Sequence, residues 1–146
     1  MNQNVMQRYQ TIKSLGQVTK PYGGSTRYEK FHPGIDIANK QGTPVPAFGQ
    51  GGVVTNVDTG HRNGENNYGN QVAVKDDQGN THYYSHLQGA YVKRGQRVHS
   101  GQPIGTMGAT GSAYSPSGGD PTHLDYRVTN AYGKYRNPLQ FMSNVK

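Results

Sequence analysis

Glycine and proline interrupt this chain throughout, with 21 Gly and 8 Pro among 146 residues. Proline removes a backbone donor and glycine weakens a helix interior, so short strands joined by turns are favoured over long helices. Between the turns, Val, Ile and Tyr recur in ordered alternation, which separates the chain from low-complexity sequence. The segments Gly34–Ala38, Val53–Val57, Gln71–Lys75, Thr81–Leu87 and Leu124–Thr129 read as strands. Gln71–Lys75 and Thr81–Leu87 flank Asp76-Asp77-Gln78-Gly79-Asn80, a hairpin signal. The stretch from Val92 to Gly105, with Gly95 and Gly101 inside it, predicts a second tight hairpin. Met107 to Pro121 is a Gly/Ser-rich loop, and Asn137-Pro138-Leu139-Gln140 a closing turn or short helix. The fold class is mainly β: a compact antiparallel sheet scaffold with a loop-rimmed groove and little helix. Residues 1–16 are assigned to an N-terminal arm or short helix, and 17–146 to one domain.

The hydrophobic fraction is only 31%, and 11 Tyr supply much of it, so the core is expected to be thin and of sheet type. The formal charge of +7 favours anionic partners, cell-wall polymers among them. Lys and Arg are dispersed and no stacking platform or recognition motif accompanies them, which argues against nucleic acid. The absence of cysteine excludes disulfides and thiolate metal sites. No segment approaches the roughly 20 apolar residues of a membrane span. The first ten residues lack the apolar core of a signal peptide.

Three short segments carry the chemistry. In His32-Pro-Gly-Ile-Asp36, positions 32, 34 and 36 share one face of an extended chain, with only the hydrogen of Gly34 between imidazole and carboxylate. The pair reads either as two metal ligands or as a hydrogen-bonded surface pair. In Thr81-His-Tyr-Tyr-Ser-His-Leu87, alternation places His82, Tyr84 and His86 on one face and Tyr83, Ser85 and Leu87 on the other, with Tyr83 and Leu87 as core. In His123-Leu-Asp125-Tyr-Arg127, the polar residues share a face opposite Leu124, Tyr126 and Val128. That face presents either a ligand and an imidazole to a groove or a simple Asp125–Arg127 pair. Together the segments supply three metal-type ligands (His32, Asp36, Asp125) and two spare imidazoles (His86, His123). A catalytic zinc needs three protein ligands and an open position, and nearby imidazoles can move protons for amide hydrolysis.

These residues, in this order, resemble the lysostaphin-like zinc endopeptidases that cut peptidoglycan cross-links. The likeness runs from about Pro21 to Val128. It includes Tyr22-Gly23 with Arg27, His32-Pro-Gly-Ile-Asp36, Gly69-Asn-Gln-Val72, Tyr84-Ser-His86-Leu87, Gly101-Gln-Pro-Ile-Gly105, Gly108-Ala-Thr-Gly111 and His123-Leu-Asp125. The resemblance implies one Zn²⁺ held by His32, Asp36 and Asp125, catalytic imidazoles at His86 and His123, and a substrate-polarising tyrosine at Tyr22. It implies bacterial peptidoglycan as the partner and the cell wall as the place of action. With no signal peptide, delivery is expected as a phage endolysin, as a virion-associated hydrolase, or as a domain excised from a secreted protein.

Position 125 departs from the family, which has a second His there. Two carboxylates and one imidazole damp the Lewis acidity of a bound ion and make the site friendlier to oxygen-preferring ions such as Mn²⁺. Three outcomes are open: an active zinc enzyme with an unusual ligand set, an enzyme tuned to another metal, or a catalytically inactive relative that serves as a cell-wall-binding or structural module.

Overall fold

The computed structural model describes residues 14–25, 29–115 and 118–142. Most of the expected N-terminal arm therefore lies outside the described residues. Leu15 is buried in the core, and the Asn39 side chain donates to its carbonyl at 2.7 Å.

Ten strands form one antiparallel sheet: β1 (Gln17–Lys20), β2 (Gly34–Ala38), β3 (Pro44–Pro46), β4 (Gly51–Asp58), β5 (Asn70–Lys75), β6 (Thr81–Ala90), β7 (Arg97–His99), β8 (Pro103–Met107), β9 (His123–Thr129) and β10 (Tyr135–Arg136). The main path runs β1-β2-β9-β6-β5-β4-β7, with β10 on β9 and β3 on β8. A short 3₁₀ turn at Pro138–Phe141 is capped by Asn137, whose side chain accepts from the Leu139 amide. Among the described residues no helix is long and apolar enough to cross a membrane.

The mainly β expectation and the β5–β6 hairpin hold. The second hairpin does not. β7 pairs with β4 (Gly51 opposite His99), whereas β8 pairs with β3 and β6. The turn at Gly101 passes the chain between two parts of the sheet instead of folding it back on itself. Gly101 N–H donates to Ala47 O and Gln102 N–H to His99 O, which fixes that turn.

Tyrosine fills the space that the low aliphatic content leaves. Tyr84 and Tyr126 are fully buried and stack at 5.1 Å, with Phe48 against both. A buried phenol needs a hydrogen-bond partner. The Tyr84 hydroxyl accepts from the Phe48 amide at 2.8 Å, and the Tyr126 hydroxyl meets His82 Nδ1 at 2.7 Å. His82 Nε2 in turn meets Asp76 at 2.9 Å. His82 therefore belongs to the core and not to a groove beside His86. Burial pushes its pKa down, against the pull of Asp76.

The reason is a break in alternation at His86, the one non-glycine residue among those described with positive φ (63°). Before it, Thr81–Ser85 pair with β9; after it, Leu87–Ala90 pair with β8. A left-handed residue flips the side-chain parity of the strand beyond it. Tyr84 and Leu87 both become core, and Tyr83 is only half-buried, contrary to the strict alternation expected.

Candidate active site

The floor of the site is laid out by strand register. β9 lies between β2 and β6, with Asp36 opposite Asp125, Gly34 opposite Arg127 and Ala38 opposite His123. On its other side, Ser85 faces Asp125 and Tyr83 faces Arg127. Leu124, Tyr126 and Val128 point into the core, so His123, Asp125 and Arg127 point out of it, as expected from the sequence.

Two carboxylates placed directly opposite each other repel; the Arg127 guanidinium on Asp125 offsets part of that repulsion, and a bound cation would offset the rest. Ligand atoms of His32, Asp36 and Asp125, all buried, lie within 4.8 Å of one another. This is the three-ligand cluster expected from sequence. His32 Nε2 lies 3.1 Å from Asp36 Oδ1, while its Nδ1 lies 2.9 Å from Glu29 Oε1. A carboxylate on the outer nitrogen orients a metal-binding imidazole and raises its basicity. Burial alone would lower the His32 pKa, but Asp36, Asp125 and Glu29 outweigh it and raise it above the usual imidazole value. A spot that attracts a proton this way has the field and the mixed N/O donors that suit a divalent cation, so the residues fit zinc.

The two spare imidazoles stand beside this cluster, with ring centroids 4.8 Å apart. His86 Nδ1 lies 2.7 Å from the Thr110 carbonyl and His123 Nδ1 lies 2.8 Å from the Pro121 carbonyl. A carbonyl only accepts, so both Nδ1 atoms carry the proton and both Nε2 atoms are left for other work. Burial lowers the His86 pKa despite its bond to Thr110, which keeps the ring neutral at pH 7. His123 Nε2 lies 3.8 Å from Asp36 Oδ2. Thr110 is itself pinned: its hydroxyl donates to Leu87 O at 2.8 Å and accepts from the Asn70 amide at 2.9 Å.

These groups line an open groove of about 800 Å³. The loop after β4 contributes Asn66 and Tyr68 to its walls, and the loop before β9 contributes Ser112, Tyr114 and Asp120. Glu29 and Lys20 close one end. Tyr22 does not line the groove; it packs edge-on against Phe31 at 5.0 Å. Arg27 lies outside the described residues. Sequence reasoning missed Glu29, Tyr68, Tyr114 and the Thr110 and Pro121 carbonyls. Only Glu29, an acid three residues before a His, left a trace in the sequence. The Asp125–Arg127 pair that is the alternative to metal binding is present too, with Asp125 buried and Arg127 half-buried: Arg127 Nε and Nη2 donate to Asp125 Oδ1 and Oδ2, each at 2.8 Å.

A His–Asp–Asp group that could hold a metal, beside two imidazoles on an open antiparallel floor, suits the peptidase class. The chain belongs to peptidase family M23, whose model matches residues 30–138. It is 33% identical over 120 residues to the glycyl-glycine endopeptidase ALE-1 of Staphylococcus capitis, covering 78% of this chain and 30% of that protein. It is 32% identical over 127 residues to the murein hydrolase activator NlpD of Escherichia coli, covering 87% of this chain and 29% of that one. The crystal structure of a zinc-containing peptidase from Vibrio cholerae superposes with a TM-score of 0.70 at 26% identity, over 87% of this chain and 37% of that one. The chain spans less than half the length of the curated relatives it matches.

Proposed function

We propose that this domain is a zinc metalloendopeptidase that hydrolyses peptide cross-links of bacterial peptidoglycan. The carrying observation is the convergence of His32, Asp36 and Asp125 beside the outward Nε2 atoms of His86 and His123 in one groove. His32, Asp36 and Asp125 would hold the ion, with Glu29 orienting His32. When bound, zinc would supply a Lewis acid and make water acidic enough to ionise near neutral pH. The His123 Nε2, 3.8 Å from Asp36, stands where it can take a proton from attacking water. The neutral His86, whose Nδ1–H is held by Thr110, presents Nε2 as a second acceptor that can hold or take a proton of the attacking water. Tyr22, which packs on Phe31, is kept as a candidate substrate contact, and anionic wall polymers as candidate partners of the basic surface. Delivery by phage, as endolysin or virion-associated hydrolase, belongs to the same proposal, as does action at the wall.

One observation favours a second reading. Both Asp125 oxygens are already bonded to Arg127, so the domain can instead be a silent wall-binding or activating module. NlpD, a relative, carries the name of an activator. Metal content and wall digestion decide between them. The enzyme reading expects one zinc per chain and newly released peptide ends that vanish with chelator. Zinc-free protein, or lysis indifferent to both chelator and His123→Ala, overturns it.

A further inference from the structure

The Asp125–Arg127 pair is built into the floor and is not a chance surface contact. The two side chains are only 4% and 12% exposed. The guanidinium also donates from Nη1 to the Tyr68 hydroxyl at 3.2 Å and lies 5.1 Å above the Tyr68 ring. Its stem crosses Gly34 so closely that a Cβ there would stand 2.6 Å from Arg127 Cγ. A fork held on three sides fixes the carboxylate in its grip.

A carboxylate oxygen has two lone-pair directions. Arg127 takes one on each Asp125 oxygen, so Asp125 can offer a cation a single oxygen and is barred from chelating it with both. The guanidinium also cancels one of the two carboxylate charges around the site. The cluster is thereby left with the single net negative charge of a two-imidazole, one-carboxylate site.

We propose that Arg127 is a positioning residue that sets metal specificity: it keeps a carboxylate-rich ligand set selective for zinc over harder, oxygen-preferring cations. This inference rests on the zinc reading above. Ions such as Mn²⁺ gain most from added oxygen donors and added negative charge, and Arg127 withholds both.

The test uses the purified full chain, with Zn²⁺ and Mn²⁺ dissociation constants measured by competition against a chromophoric chelator. In the native background, Arg127→Gln frees the second oxygen, and the preference for Zn²⁺ over Mn²⁺ falls about tenfold. Arg127→Lys keeps the charge but bonds only one oxygen, so it gives part of that shift; it also retains the stem over Gly34 should the Gln variant fold poorly. With Asp125→His there is no carboxylate to release, and adding Arg127→Gln leaves the preference unchanged. The visible spectrum of the Co²⁺ form reports the same change, with weaker, higher-coordinate bands only where Asp125 is present without Arg127. Wild type that binds no zinc overturns both this inference and the zinc reading. Wild type that binds zinc with a metal preference indifferent to Arg127, or shifted equally in both backgrounds, overturns the Arg127 assignment alone.

Discussion

His86 and His123 face each other at 4.8 Å with each Nδ1–H given to a backbone carbonyl, Thr110 for one and Pro121 for the other. Neither ring can turn without losing that bond, and the free Nε2 of His123 is thereby held 3.8 Å from Asp36. Replacing His123 or His86 by Ala should lower release of peptide ends from purified wall by roughly 10²–10⁴-fold, the range for a positioned acid or base. Zinc content should stay at the wild-type level. Equal loss of zinc and activity would mean that an imidazole is a ligand instead.

The positive φ of His86 carries its own cost. A side chain in that conformation costs roughly 1–2 kcal/mol relative to glycine, yet this is where β6 changes partner from β9 to β8. His86→Gly should therefore unfold at higher denaturant than His86→Ala, by about 1 kcal/mol, although both are inactive. Equal midpoints in urea would show that the backbone there is not strained.

Gly34, on β2 opposite Arg127, gives β9 room for a close approach. An alanine Cβ would stand 2.6 Å from Arg127 Cγ, 2.7 Å from the Tyr126 carbonyl and 3.0 Å from Asp125 Oδ1. The side chain can yield but the carbonyl cannot without opening the β2–β9 ladder. Gly34→Ala should destabilise the fold by about 1–3 kcal/mol, as overpacking does, and weaken zinc binding by chelator competition.

Zinc that binds only the folded chain should stabilise it. At about 100 times its dissociation constant the gain is about 2.7 kcal/mol. Asp36→Asn, which removes one ligand, should abolish most of that zinc-dependent rise in melting temperature. A rise that survives the substitution would place the ion elsewhere.

The loop after β4 is clasped by His61, whose Nδ1 meets Glu65 Oε2 and whose Nε2 meets Asp58 Oδ1, both at 2.9 Å. The bond to Glu65, then that to Asp58, raises the His61 pKa. A raised imidazole pKa contributes stability fully present below about 6.5 and lost as pH rises through the folded value. The Glu65 pKa is lowered, His61 first among the causes, so its share is present above the ordinary carboxyl range and lost as pH falls through the lowered value. The clasp is tightest between those limits. Amide exchange over 58–70, corrected for intrinsic rates, should slow severalfold at pH 5.5 relative to pH 8.5. His61→Gln should erase the difference.

The sequence made the ligand cluster legible because its residues lie two or four apart on extended chain. On β9 that spacing fixes a shared face for His123 and Asp125, while His32, just before β2, comes within reach of Asp36 and Asp125 from outside the strand. The same rule failed on β6, because parity cannot announce a left-handed residue in its midst. His82 and Tyr83 were misplaced for that reason alone. The Gly95–Gly101 hairpin failed for another: glycine marks where a chain turns but not which strand it turns toward. Backbone carbonyls such as Thr110 O have no side-chain signature, so the tether on His86 was invisible in one dimension.

The floor and the walls of the groove come from different kinds of structure. Asp36, His123 and Asp125 sit on the paired strands β2 and β9, beside β6, whereas Tyr68 and Tyr114 come from the segments following β4 and preceding β9. Those two segments are joined to each other at Asn63, Thr110 and Gly111 by short bridges, and each is tied to the floor by a few bonds, such as Arg127 to the Tyr68 hydroxyl and His86 to the Thr110 carbonyl. Exchanging the wall segments between relatives should change what the groove accepts while the His32–Asp36–Asp125 group stays in place, so the floor serves as a common frame on which different recognition edges can be mounted.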